Sequence, residues 1–111
     1  MIAVTPKPPY YAVIFTSIRT DAEADAYSDT AARMMELATV QPGFLGVESA
    51  REDIGITVSY WQSLEAIRDW KANAEHLTAQ QHGRDLFYRR YKTRIAMVER
   101  DYGFAGASVC D

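Results

Sequence analysis

The sequence contains a single cysteine, Cys110, among 111 residues. One cysteine can form neither an intrachain disulfide nor a cysteine metal cluster, so the fold must depend on a hydrophobic core. A chain of this length buries roughly two thirds of the surface that its unfolded form exposes, which suffices for a single domain. The lack of disulfides favours a reducing, cytoplasmic compartment.

The sequence also lacks a membrane-spanning run, a signal peptide and an excess of basic residues. No stretch approaches the roughly 20 apolar residues of a membrane span. Residues 1–9, MIAVTPKPP, contain three prolines where a signal peptide needs an apolar run. The net charge of -3 disfavours nucleic acid, because lysine and arginine provide most of the affinity for phosphates. We therefore predict a cytoplasmic protein that binds neither membrane nor nucleic acid.

Motifs for the common cofactors and hydrolytic sites are absent. There is no glycine-rich phosphate loop, no flavin or nicotinamide fingerprint, no acidic cluster for a metal and no Ser-His-Asp or Cys-His arrangement. His76 and His82 are six residues apart, which does not fit the i, i+4 spacing of a helical metal pair. We expect neither a metal nor a tightly bound organic cofactor.

What the sequence does contain is an alternation of strand and helix patterns. The segment from Tyr10 to Arg19 is rich in β-branched and aromatic residues and is apolar on both alternating sides, which predicts a strand covered on both faces. Thr20 and Glu23 have the spacing of a capping box. Apolar residues then recur every three or four positions, which predicts an amphipathic helix to about Thr39.

A hairpin and a second helical region follow. Residues 44–51 and 56–61 predict two antiparallel strands, the first of which contains Gly46 as a bulge or a close approach. Ser63 is a predicted helix N-cap. We expect Asn73 to interrupt this helix and to begin a second, shorter one.

The element order is β-α-β-β-α-β, with a last strand from about Tyr91. This is the order of the ferredoxin-like α+β fold, a four-stranded antiparallel sheet with helices on one face. We predict one domain at 10–102, a proline-rich lead-in at 1–9 and a tail at 103–111. The first and last strands are expected to pair at the centre of the sheet and are apolar on both sides. A bare apolar face is rare on a monomer, so we predict a homodimer through the sheet face.

Three segments carry a family resemblance: PGF at 42–44, ITVSYW at 56–61 and SLEAIRDW at 63–70. With them the chain resembles, over residues 10–102, the antibiotic biosynthesis monooxygenase domain of the dimeric α+β barrel superfamily. The resemblance implies a dimeric α+β barrel. Its functional implication is a cofactor-independent monooxygenase for a small aromatic or polyphenolic substrate. The alternative is a non-enzymatic or stress-related dimer that binds a small apolar ligand.

Haem-degrading members of the same superfamily have a different set of site residues. They combine a helix tryptophan, which Trp70 matches, with a histidine ten residues later and an asparagine on the first strand. Gln80 occupies the histidine position here, and residues 10–19 contain no asparagine. Haem binding or degradation is therefore the least favoured of the functions that the resemblance implies.

Five residues are candidates for a site. The resemblance makes Trp70 and Asn73 counterparts of the tryptophan and asparagine that surround the substrate in the cofactor-independent members. Tyr60 could present its hydroxyl between sheet and helices, and Arg84 could hold a phenolate oxygen at the pocket mouth. His76 is the candidate general base, since histidine titrates near neutral pH.

Each candidate also has a purely structural interpretation. Trp70 lies on the apolar stripe of its helix, and large aromatic residues dominate protein cores. Trp61, at the end of its strand, is expected to pack in the core, and Tyr60 could be a buried tyrosine with a backbone partner. Both histidines could be surface or capping residues, and Arg84 begins a basic run that could form surface ion pairs.

Overall fold

The chain folds into the predicted order of strands and helices. The structure, a computed structural model, describes residues 1–21, 24–80 and 87–106, and of residues 24–26 and 76–80 the backbone alone. The elements are β1 (Tyr10–Arg19), α1 (Ala24–Thr39), β2 (Phe44–Arg51), β3 (Gly55–Trp61), α2 (Leu64–Gln80) and β4 (Tyr88–Val98). Together they form the expected ferredoxin-like α+β fold.

Four antiparallel strands form one sheet in the order β2-β3-β1-β4. The first and last strands pair with each other, from Tyr10 opposite Val98 to Arg19 opposite Tyr88. The expectation that both lie at the centre is wrong, because β1 also pairs with β3, whereas β4 pairs with β1 alone. The central strands are β1 and β3, and the edges are β2 and β4.

The start of β4 differs from the predicted one. β4 begins at Tyr88 rather than Tyr91, because Tyr88 pairs with Arg19 across an irregularity at the end of β1. In the described residues α1 begins at Ala24, and Glu23 of the predicted capping box lies outside them.

The irregularity predicted at Gly46 is present in β2. The register with β3 shifts between Phe44 and Gly46. A Cβ atom at Gly46 would lie 3.0 Å from the Cβ of Ala3, closer than ordinary contact. The backbone N–H of Ala3 also donates to Oε2 of Glu48 (2.9 Å). Glycine therefore allows the N-terminal segment to lie against β2.

Helix α2 is continuous from Leu64 to Gln80, so the predicted interruption at Asn73 is wrong. It begins at the predicted N-cap, where the backbone N–H of Ala66 donates to Oγ of Ser63 (3.1 Å). The Asn73 amide nitrogen instead donates to Oε1 of Gln41 (3.3 Å). Because the side chain bonds away from its own helix, it does not compete with the helical backbone.

The helices pack on one face of the sheet around Trp61, which is fully buried. The Trp61 ring centroid lies 6.1 Å from that of Trp70 on α2 and 5.4 Å from that of Phe44. Successive residues of a strand point to opposite faces, so Tyr60, which is paired with Ala12, points to the other face. We call these two surfaces the helix face and the open face.

Replacing Trp61 by alanine should lower the free energy of unfolding by about 3–5 kcal/mol, because it removes a buried indole and leaves a cavity beside Trp70 and Phe44. Urea denaturation followed by circular dichroism measures the change. The control is Leu64→Ala on the exposed start of α2, which should cost less than about 0.5 kcal/mol. Equal losses in the two variants would contradict a core centred on Trp61.

Candidate functional site

Trp70 and Asn73 lie at the end of the helix face next to the turn that joins α1 to β2. Trp70 is half-buried, and its ring is stacked on Trp61 with 21° between the ring planes. Asn73 is exposed and bonds to Gln41 in that turn. The expected packing role of Trp61 is confirmed, and Trp70 keeps part of its indole exposed.

Tyr60 lies on the open face, so the structure does not bring it next to Trp70. Its hydroxyl donates to Oε1 of Glu48 (2.6 Å), and its ring packs edge-on against Tyr10 with 5.8 Å between centroids. Burial, followed by the bond to Glu48, raises the pKa of Tyr60 to about 12. Tyr60 therefore keeps its proton at neutral pH and acts there as a hydrogen-bond donor.

Glu48 joins Tyr60 to the N-terminal segment. The hydrogen bond from Tyr60 and the one from the backbone N–H of Ala3 lower the pKa of Glu48 below its ordinary value. A second hydroxyl bond on this face joins Tyr10 to Oδ2 of Asp101 (2.5 Å). Through these hydrogen bonds, Ala3 and Asp101 contact the part of the open face that contains Tyr10 and Tyr60.

The remaining predicted site residues are only partly described. The backbone of His76 belongs to α2, six residues after Trp70, and its side chain lies outside the described part of the structure. Residues 81–86, which include Arg84 and His82, lie outside it as well. The roles assigned to His76 as a base and to Arg84 as an anion partner stay predictions.

A group that sequence reasoning missed lies at the opposite end of the helix face. It consists of Arg19, Arg51, Tyr27 and Tyr88, and we call it the arginine–tyrosine cluster. The guanidinium carbon of Arg19 lies 3.6 Å from the centre of the Tyr27 ring, and that of Arg51 lies 5.9 Å from it. Arg51 also donates from Nη2 to Oγ of the buried Ser17. Two cations are thus placed against one aromatic ring, within the range of cation–π attraction.

Neither arginine of the cluster pairs with a carboxylate of the described residues. The ion pairs there join Arg33 to Glu36, Lys71 to Glu75 and Arg89 to Asp21. Nε of Arg19 is buried, and no group of the described residues accepts a hydrogen bond from it. A buried donor without an acceptor is unfavourable, and so are two neighbouring cations without an anion. Among the described residues, the cluster therefore combines two cations with no anion.

Tyr88 adds a neutral donor to the cluster. Burial raises the pKa of Tyr88 well above its ordinary value. The electrostatic interaction and the hydrogen bond with Tyr27 raise this pKa further. The two arginines act in the opposite direction with a smaller effect. Tyr88 is therefore protonated at neutral pH and can donate a hydrogen bond.

A cavity of about 20 Å³ adjoins the cluster. It is lined by Tyr27, Thr30, Ala31, Met34, Phe87 and Tyr88. This volume is enough for about one water molecule. A ligand with an aromatic ring could place only a small group there and would need to keep its ring outside.

Part of the cluster could have been found from strand alternation. Phe15, Ser17 and Arg19 share one face of a strand because successive members are two positions apart. The hairpin register also places Arg51 opposite Gly55. The sequence has no signal for the contacts of Tyr27 with Tyr88, since these join α1 to β4 across the fold.

Among the described residues, no helix is long and apolar enough to cross a membrane. In this part of the chain, no group of three histidine, cysteine, aspartate or glutamate residues is arranged to hold a metal ion.

The sequence matches the family model Antibiotic biosynthesis monooxygenase over residues 9–82. It is also similar to the Uncharacterized protein YqjZ of Bacillus subtilis (strain 168). The two are 50% identical over 101 residues, which cover 89% of this chain and 88% of the relative. The similarity thus extends over nearly the whole length of both chains.

Solved structures share the fold at lower sequence identity. SnoaB, a cofactor-independent oxygenase from Streptomyces nogalater, has a TM-score of 0.63 and 11% identity, and the match covers 89% of this chain and 100% of that one. PA3566 from Pseudomonas aeruginosa has a TM-score of 0.65 and 15% identity, and the match covers 87% of this chain and 99% of that one. At such identities the likeness concerns the fold.

The variant Tyr60→Phe should be about 1–2 kcal/mol less stable than the wild type at pH 7, because it removes a donor to the charged Glu48. Glu48 has a lowered pKa when folded, so its contribution is present above the unfolded value of about 4.5 and is lost as pH falls through the folded pKa. The difference between variant and wild type should therefore shrink in acid.

Urea denaturation at several pH values measures this difference. Tyr91→Phe is the matched control, because Tyr91 is exposed and its hydroxyl has no such partner in the described residues. A difference that stays constant from pH 7 to pH 3 would contradict the link between Tyr60 and the charge of Glu48.

Proposed function

Because the chain belongs to the antibiotic biosynthesis monooxygenase family, we propose that it oxidises a small aromatic or polyphenolic substrate with O2 and without an organic cofactor. The family match over residues 9–82 is the observation that carries this proposal. The shared fold with SnoaB, a cofactor-independent oxygenase, supports it.

The reaction needs a base, a group that stabilises negative charge and a site with little water. A base removes a proton from an electron-rich phenol or a related activated C–H group, and the resulting carbanion-like carbon reacts with O2. Protonation of the peroxide and loss of water then leave a new carbonyl, so one oxygen atom enters the product and the other leaves as water. An apolar site favours the reaction because it limits solvation of the reacting anion.

The Trp70 end of the helix face is the part of the molecule that we assign to the substrate ring. Trp70, which is half-buried and stacked on the buried Trp61, provides a flat apolar surface, and Asn73 lies one helical turn beyond it. His76 follows on the same helix as the proposed base. Arg84 is proposed to hold the phenolate oxygen.

The alternative is a non-enzymatic module that binds a small ligand. The exposure of the proposed ring site favours it, because Trp70 is only half-buried and Asn73 is exposed, whereas the reaction of a carbanion with O2 needs a site that excludes water. The two functions differ in one observable, which is the consumption of O2.

We also propose that the protein is a homodimer in which the open faces of two copies pack together. Ile18 and Ile56 lie on this face with exposed fractions of 39% and 45%. Beyond β4, Tyr102 and Phe104 are almost completely exposed, at 100% and 95%. Apolar and aromatic groups so placed are typical of surfaces that a second copy covers.

Oxygen uptake with a panel of hydroquinones and anthrones tests the proposed reaction. We expect uptake by the wild type without added cofactor, and a loss of at least about tenfold in Trp70→Ala and in His76→Ala, because each change removes a group that positions or deprotonates the substrate. Leu64→Ala, at the exposed start of α2, should leave the rate unchanged. Oxygen uptake that is equal in all variants would exclude the roles assigned to Trp70 and His76. Ligand binding without oxygen uptake would favour the non-enzymatic alternative.

Sedimentation equilibrium at micromolar concentration tests the dimer. The wild type should sediment as a dimer, and Ile56→Lys should shift it to a monomer, because a lysine would be buried without a partner between the sheets. Val40→Lys is the control, since Val40 is exposed in the turn between α1 and β2, away from the open face. A monomeric wild type would contradict the proposal.

A further inference from the structure

We propose that Arg19 and Arg51 bind the carboxylate group of a small aromatic ligand, with Tyr27 and Tyr88 against its ring. The site lies where β1 and β2 end, beneath α1. It is separate from the Trp70 end of the helix face. The proposal concerns binding and does not depend on whether the protein consumes O2.

The first support is that neither arginine pairs with a carboxylate of the described residues. Arg19 is half-buried, and its buried Nε–H has no acceptor among the described residues. Nη2 of Arg51 donates to Oγ of Ser17, and the rest of the side chain is exposed, so solvent and ligands can reach it. The planar guanidinium fork can donate two parallel hydrogen bonds to the two oxygens of a carboxylate.

The second support is the space that Gly55 leaves for Arg51. These residues are paired across β2 and β3, and a Cβ atom on Gly55 would clash with Nη2, Cζ and Nε of the Arg51 side chain. Gly55 is buried beneath that guanidinium. The position of the Arg51 charge therefore depends on the absence of a side chain at residue 55, which gives a variant that moves the charge without removing it.

The third support is the aromatic surroundings. Tyr27 lies edge-on to Phe87 and Tyr88, with centroid distances of 5.6 and 5.9 Å. Phe15 packs edge-on against Tyr88 from β1 at 5.5 Å. An aryl ring beside the carboxylate would meet this group of rings. The ligand class is thus a small aryl carboxylate.

The competing interpretation is that both arginines only hold Tyr27 in place by cation–π contact. Both interpretations predict a loss of stability when an arginine is removed, so stability alone does not separate them. Specific binding of a carboxylate at Arg19 Nε separates them, because a purely structural arginine would not respond to such a ligand.

The test is a titration of ¹⁵N-labelled full-length protein with benzoate and, in parallel, with benzamide, at constant ionic strength. The readout is the side-chain Nε–H resonance of Arg19 in heteronuclear NMR spectra. We expect saturable shifts with benzoate, and no shift with benzamide, which has the same ring and shape without the charge. Equal responses to the two probes, or no response of Arg19 to benzoate, would overturn the proposal.

Three variants complete the test. Arg19→Gln and Gly55→Ala should each weaken benzoate binding about tenfold or more. The first variant removes a charged donor, and the second displaces the Arg51 guanidinium without removing its charge. Arg33→Gln is the matched control, because it removes an arginine on α1 that is exposed and paired with Glu36. Benzoate binding that is weakened equally in the control would show attraction by net charge alone and would overturn the assignment.

If Arg19→Gln does not fold, the comparison of benzoate with benzamide on the wild type decides the proposal alone. Failure of this test leaves oxygen uptake at the Trp70 end unaffected. Failure of oxygen uptake likewise leaves benzoate binding intact. The two proposals can therefore be rejected separately.

Discussion

The pairing of β1 with neighbours on both sides determines where the other groups of the protein lie. Its residues from Tyr10 to Arg19 are hydrogen-bonded to β3 on one side and to β4 on the other, and successive side chains point to opposite faces. Ser17 and Arg19 therefore meet the helices, whereas Tyr10 and Ala12 lie on the open face. A slip of one residue would exchange these two sets and place the Arg19 guanidinium on the open face. The register of this strand thus assigns each chemical group to its surface.

The helix face has two ends of different chemical character. At one end, Trp61 is buried and stacked on Trp70, so this end is apolar and holds the helices to the sheet. At the other end, Arg19 and Arg51 bring two positive charges to the ring of Tyr27, and no described carboxylate neutralises them. We propose the first end for the ring of an electron-rich substrate and the second for an anion. We propose the open face, with its exposed apolar side chains, for contact with a second copy of the chain.

The elements of the fold could be predicted because each has a local signal. β1 follows from its β-branched and aromatic residues, and the start of α2 follows from the hydroxyl of Ser63. The continuity of α2 through Asn73 could not be predicted, because it depends on an acceptor, Gln41, that is distant in sequence. The arginine–tyrosine cluster could not be predicted for the same reason, since Tyr27 contacts Tyr88 from a distant part of the sequence. The face of Tyr60 could have been predicted, because Trp61 was expected in the core and alternation sends its neighbour to the other face.

A crystal structure of the protein grown with benzoate would test most directly the claim that the arginine pair is an anion site. We predict the benzoate carboxylate within about 2.7–2.9 Å of Nε of Arg19, with the aromatic ring against Tyr27 or Tyr88. A carboxylate of the protein itself in that position, with benzoate bound elsewhere or not at all, would contradict it.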